Sequence, residues 1–502
     1  MTGRLGRWPL RAWVAVLSLA LTGTTAALGS AFPTPPPPGA PRPLVIATPI
    51  EQRLPNGLRV VLAMRPGVQL VTAQIVVLAG AEVDPPQRAG LANLTAGLLI
   101  KGTQRHSGLA QARAAEALGG TLDSAAGWNQ SQVALTVMAS QLDDALALLA
   151  DAARRPTFAR AELARLRAQA LDALKVTAAQ PSTLAQRATD RLLFGDHPYG
   201  QPLDGTPTSL RRIHRADVLA LHRAHYRPDN AVLVLAGDLD AATALRLALR
   251  HFGTWHAQRE VDSMPMPMPT PAPASAPSVA MPAACWIGID VPTAEQASVV
   301  VAARLAPLDD VQRATAAVLN TVLGSNFSSR LNQEIRIQRG LSYGVDSQVD
   351  ARPWGGTLRV SVQTRSVSAA EVVQRVQTEL QRLSLEPVPG EELAVRKAAL
   401  IGAFERSLET TAGLANVLRA LVVAGTPVRE LPQRSATLAA VSAADIQAFA
   451  TRQLGAAAQR VVVAGSVDQF NAALRAEADR AGAALTVITP LDPNPGQRRC
   501  VP

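Results

Sequence analysis

Along the first half of the chain, apolar residues run in short stretches at 58–63 and 70–78, which predict strands. They then recur at helical spacing near 88–101 and 108–118. Two more strands are predicted at 121–126 and 132–138, and helices at 143–154, 161–176 and 184–193. The second half reads strand, strand, long helix, hairpin, helices, strand. Strands and helices mix without regular βαβ alternation, so the pattern predicts an α+β fold with antiparallel pairing.

The two halves resemble each other. Residues 217–240 (DVLALHRAHYRPDNAVLVLAGDLD) align without a gap with 445–468 (DIQAFATRQLGAAAQRVVVAGSVD). Each copy reads as an amphipathic helix, a turn, a β-branched strand and an Ala-Gly exit, toward the end of its half, as an internal duplication requires. Between the halves lies a proline-rich run, 264–277 (MPMPMPTPAPASAP), which reads as a semi-rigid linker. The expected organisation is a signal at 1–31, a proline-rich spacer at 32–43, an N-terminal domain at 44–260, the linker at 261–280, a C-terminal domain at 281–491 and a tail at 492–502.

At the N-terminus Arg4, Arg7 and Arg11 precede an apolar run over 12–21 and then small residues, with Gly29 and Ala31 suited to a cleavage site before Phe32. That is the pattern of a secretory signal, and the run is shorter than the roughly 20 residues of a spanning helix. Export is expected, to the periplasm if the source is a Gram-negative bacterium, with an uncleaved anchor as the alternative. No later segment has the length to cross a membrane. With 48% hydrophobic and 18% charged residues the chain is globular. Its formal charge of +10 comes almost wholly from arginine, since Lys101, Lys175 and Lys397 are the only lysines. The arginines are scattered, with no dense basic run or interleaved aromatics, so no nucleic-acid partner is expected. The two cysteines, Cys285 and Cys500, are too few for a disulfide framework, and the polar surroundings of Cys500 argue against their pairing.

Residues 90–103 (GLANLTAGLLIKGT) form an apolar helix with an odd internal glycine, Gly97, one turn from Asn93. The segment resembles the inverted zinc motif of the pitrilysin/insulinase metallopeptidase family, G-L-A-H-x-x-E-H-x-L-x-K-G-T. Gly90, Leu91, Ala92, Leu99, Lys101, Gly102 and Thr103 match. Asn93 and Gly97 stand where the zinc-binding histidines belong, and Ala96 where the glutamate base belongs. The family's spacing to its third ligand, a glutamate, lands on Ala173, with Asp172 turned about 100° away on the helix. The resemblance extends through 54–60 (LPNGLRV), 118–122 (LGGTL), 193–200 (LFGDHPYG) and 226–238 (YRPDNAVLVLAGD). It implies two related α/β repeats forming one half of a clamshell, with no catalytic residue, no metal and no cofactor on this chain.

In the second half, 328–345 (SSRLNQEIRIQRGLSYGV) resembles the family's C-terminal motif, in which an arginine and a tyrosine seven positions later contact the bound peptide. Arg336 and Tyr343 have that spacing and are the expected substrate-binding residues, the alternative being that they only pack a helix–strand joint. The resemblance implies a catalytically inactive subunit, similar to the degenerate partner in heterodimeric processing peptidases. It would enclose peptides for a zinc-bearing subunit of the same family. Two other readings stay open: a peptide-binding or scaffold protein of the cell envelope with no associated protease, and a peptidase using other ligands. His222 and His225, three apart on one helix, are a metal candidate without a third ligand, and His197 reads as a turn residue.

Overall fold

A computed structural model describes residues 46–177, 179–256 and 285–489. The expected signal, spacer, linker and tail, and Cys500, lie outside the described residues.

The first half runs β1 (Ile50–Arg53), β2 (Arg59–Met64), β3 (Leu70–Val77), α1 (Leu91–Leu99), α2 (Gly108–Ala117), β4 (Asp123–Ala126), β5 (Ser131–Met138), α3 (Leu142–Arg154) and α4 (Arg160–Thr177). It closes with α5 (Pro181–Phe194), α6 (Pro207–Arg212), α7 (Arg215–His225), β6 (Ala231–Gly237) and α8 (Ala241–Phe252). The second half runs β7 (Cys285–Asp290), β8 (Gln296–Leu305), α9 (Asp310–Leu323), a π-helical turn (Asn332–Gln338), β9 (Ser342–Asp350) and β10 (Gly356–Arg365). It then adds α10 (Ala369–Leu385), α11 (Gly390–Ser407), α12 (Thr411–Ala424), α13 (Arg434–Ala440), α14 (Ala443–Gln453), β11 (Gln459–Gly465), α15 (Val467–Arg480) and β12 (Ala484–Ile488). The fold is α+β.

The duplication is plain in the sheets. The first has the order β1-β2-β6-β3-β5-β4 and the second β12-β7-β11-β8-β10-β9. Pairing is mixed and not purely antiparallel as expected: β2 with β6, β7 with β11 and β7 with β12 are parallel. Parallel neighbours need a long crossover, and the helical segments between β2 and β6, and between β7 and β11, supply it. The Ala-Gly exits of the repeat also have a steric cause. A Cβ on Gly237 would sit 2.1 Å from the Leu70 carbonyl oxygen, and one on Gly465 would sit 2.8 Å from the Ala297 Cβ.

Every residue of β6 (AVLVLAG) and β11 (QRVVVAG) is buried, so both faces of each sheet are covered there. One face of each sheet packs on helices of its own half. The other face is covered by a helix of the opposite half. Leu414, Leu418 and Leu421 of α12 lie on Val61, Val76 and Val234 of the first sheet. Ala185, Ala188 and Leu193 of α5 lie on Ile287, Val300 and Val462 of the second. Polar contacts tie the exchange: Thr72 Oγ1 and Thr411 Oγ1 lie 2.9 Å apart, Gln74 Nε2 donates to Asn416 Oδ1 at 3.1 Å, and Arg359 pairs with Asp190 of α5. Ile46 onward is accordingly one compact unit.

Cys285 is disulfide-bonded; the question of its pairing with Cys500 falls outside the described residues. Among the described residues no single helix is long and apolar enough to cross a membrane. The bent pair Thr411–Ala424 and Val428–Ala440 passes a composition test, but its apolar residues cover the first sheet.

Candidate functional site

The helix that would carry the metal motif, α1, starts at Gly90 in a left-handed conformation (φ 92°), where no side chain of its own caps it. Asp84 does so from upstream: Oδ2 accepts from the Gly90 amide and Oδ1 from the Ala92 amide, both at 2.9 Å. Burial pushes the Asp84 carboxyl up to about 8 despite those donors, and pushes its neighbour Glu82, which accepts from the Gly80 amide, up to about 7.

Downstream on α1, Asn93 is exposed, Ala96 is fully buried, and Gly97 looks across to α4, where a Cβ would meet Leu166 at 3.7 Å. The Ala96 carbonyl accepts from the Ser124 hydroxyl of β4 at 2.7 Å. On α4, Ala173 is exposed, and Asp172 is held by Lys175 at 2.8 Å. An amide, two methyl groups and a bare Cα replace two imidazoles and two carboxylates, so the residues at the family's zinc position do not fit zinc. Among the described residues no other group of three histidines, cysteines or carboxylates could hold a metal.

The histidines noted in the sequence serve packing. His222 donates from Nε2 to the Ala153 carbonyl at 2.9 Å, stacks on Tyr226 at 4.7 Å and meets Phe158 edge-on, and burial pulls it down to about 4. Burial also lowers His225. His197 accepts the Tyr199 amide at Nδ1, as a turn residue does, and packs in an aromatic cluster with Tyr199 and Trp354.

In the second half, Arg336 and Tyr343 come together, joined by a residue that the sequence did not single out. The Arg336 guanidinium sits over the Phe327 ring at 4.6 Å and over the Tyr343 ring at 5.1 Å. Tyr343 is 91% exposed and Phe327 60% exposed, so this stack stands on the surface. Its root is Asn332, only 4% exposed. Asn332 Nδ2 lies within 2.9–3.2 Å of the Val345, Asn326 and Gly324 carbonyls and of Ser329 Oγ, and Oδ1 accepts from the Val345 amide at 3.1 Å. One buried amide thus pins together the turn bearing Phe327, the π-helical turn bearing Arg336 and the strand bearing Tyr343. The available signal was chemical: an asparagine near the start of a short helical run suits a backbone-bonding role. Beside β9 lies a cleft of about 760 Å³, lined among others by Ser182 and Gln186 of α5, Ser298, Tyr343 and Gln363.

Residues 59–207 match the family model described as insulinase (peptidase family M16), and 212–400 match that of the peptidase M16 inactive domain. Together these matches cover more than half of the chain. The chain belongs to peptidase family M16. The second match begins at the last residue of α6, so it takes in β6 of the first sheet. An uncharacterized zinc protease of Mycobacterium leprae is 29% identical over 71% of this chain and 78% of its own length. One from Streptomyces coelicolor is 25% identical over 82% of this chain and 88% of its own. The crystal structure of a peptidase M16 inactive domain from Pseudomonas fluorescens superimposes with a TM-score of 0.75 at 24% identity, over 84% of this chain and 98% of that one. A protease from Helicobacter pylori gives 0.76 at 16%, over 84% of this chain and 100% of that one. Both show the same fold. The relatives' names speak of zinc, whereas the residues expected at the metal and base positions of this chain are Asn93, Ala96, Gly97 and Ala173.

Proposed function

We propose that this M16 chain is the catalytically inactive subunit of an exported metalloendopeptidase, enclosing and positioning peptides for a zinc-bearing partner of the same family. One contrast supports the reading: Asn93, Ala96, Gly97 and Ala173, the residues expected at the metal and base positions, offer no ligand set and no base, while the Phe327–Arg336–Tyr343 stack is built and buttressed. Arg336 offers donors to a peptide carbonyl and Tyr343 a hydroxyl, and the partner supplies the zinc chemistry.

Co-purification from the native host tests the pairing, with a zinc-bearing M16 chain as the expected companion. On the reconstituted pair, Arg336→Ala and Tyr343→Phe should each reduce turnover while leaving assembly intact by size-exclusion chromatography. A donor acting only as charge develops lowers kcat, whereas one that merely holds peptide raises KM. Losing a transition-state donor lowers the rate by roughly 10²–10³-fold. Wild-type kinetics in both variants, with the dimer intact, would reduce the stack to packing. Isolation without any M16 companion would leave an envelope binding protein as the better reading.

A further inference from the structure

The Arg336 guanidinium lies over two aromatic rings, Phe327 and Tyr343, and among the described residues no carboxylate pairs with it. The nearby Glu334 is engaged by Arg339 and Arg375. The cleft beside Tyr343 has three charged lining residues: Arg359, held by Asp190; Asp346; and Arg365, which likewise has no ion-pair partner among the described residues. The region therefore offers two uncommitted guanidinium groups against one uncommitted carboxylate. A guanidinium set against aromatic rings is weakly hydrated, and its planar N–H fork, which can donate to a peptide carbonyl, matches the two oxygens of a carboxylate better still.

We propose that the Phe327–Arg336–Tyr343 stack is a carboxylate-recognition site that selects peptides bearing an acidic side chain or a free C-terminus. The inference rests on the reading of this chain as a peptide-holding subunit and adds the class of peptide. Both rings lie against the guanidinium, Asn332 pins the turn and the strand that carry them, and Arg365 adds positive charge to the cleft beside Tyr343.

The chain has three tyrosines, of which Tyr199 and Tyr226 are buried and Tyr343 is exposed. Uniform 3-fluorotyrosine labelling of the full chain therefore gives one reporter of the site and two of the fold. Three unstructured peptides of about ten residues serve as probes: one amidated and uncharged, one amidated with a single internal glutamate, and one uncharged except for its free C-terminal carboxylate. At least one carboxylate-bearing peptide should bind on the order of tenfold more tightly than the uncharged one, moving the Tyr343 line alone. Which of the two gains identifies the source of the carboxylate. The advantage should shrink with added salt and vanish in Arg336→Gln, with the Tyr199 and Tyr226 lines unmoved. Equal binding of all three peptides, or an advantage that survives Arg336→Gln, overturns carboxylate recognition and leaves peptide holding in place. Binding of none overturns both.

Discussion

Buried carboxyl groups give single residues a measurable voice in this protein. Glu82 and Asp84 are raised to about 7 and about 8, chiefly by burial. Between their ordinary values and these, the folded chain keeps protons that the unfolded chain has released, so stability falls as pH rises through that interval. His222, lowered to about 4, acts oppositely, because the unfolded chain takes up its proton first as pH drops below 6.5. Above about 7.5, where the unfolded chain's histidines have lost nearly all their protons, the interval up to 8 therefore reads the carboxyls. Urea midpoints should decline across it, and Glu82→Gln, which keeps an acceptor for the Gly80 amide, should flatten the decline. A midpoint that rises with pH in this window would contradict the assignment. At the metal positions, Asn93→His, Ala96→Glu, Gly97→His and Ala173→Glu together should give weak zinc binding and little turnover in the isolated chain. A histidine at 97 sets its Cβ in contact with Leu166 at 3.7 Å, and a glutamate at 96 enters a fully buried position. Nothing here orients the new imidazoles, and such support is typically worth 10–100-fold in metal affinity or activity. Metal analysis after dialysis and peptide hydrolysis decide it.

The elements divide into those that announce themselves and those that do not. Strands β2, β3 and β5 and helices α2 to α5 were legible because period-two and period-3.6 patterns are local. The short, mostly exposed β1 (IEQR) carries no such pattern and was missed. Parallel pairing was missed because register between distant strands is not written in either strand. The π-helical turn was missed for the same reason: its extra residue is stabilised by Asn332, whose partners span Gly324 to Val345. Replacing Asn332 with leucine should leave buried carbonyls and the Val345 amide without partners, at about 1–3 kcal/mol for each group left unsatisfied. Thermal unfolding should show that loss, and the Tyr343 resonance should broaden or shift as the stack loosens; an unchanged Tyr343 line would show that the stack does not depend on this amide. The exchanged helices give a second test. Leu418→Ala should cost about 2–5 kcal/mol, as a buried leucine truncation in a tight core does, although Leu418 covers a sheet from the other half.

At the scale of the whole molecule, the internal repeat suggests two lobes, but the packing makes them interdependent. Residues 44–260 expressed alone would expose the sheet face that α12 covers, and 281–491 alone the face that α5 covers. Each should aggregate or remain unfolded by itself, while the two co-expressed should associate into a soluble complex. A folded, monomeric half in isolation would disprove the interdependence. For the same reason the intact chain should unfold in one transition by tryptophan fluorescence and circular dichroism alike. The exchange also sets a clock on biosynthesis. The first sheet is complete in sequence at Gly237, but the helix that covers it begins only at Thr411. At ordinary elongation rates the nascent chain waits on the order of ten seconds or more between the two. Throughout that interval the face formed by Val61, Val76, Val232 and Val234 has no cover of its own, which makes the ribosome-bound intermediate a natural client for a holding chaperone.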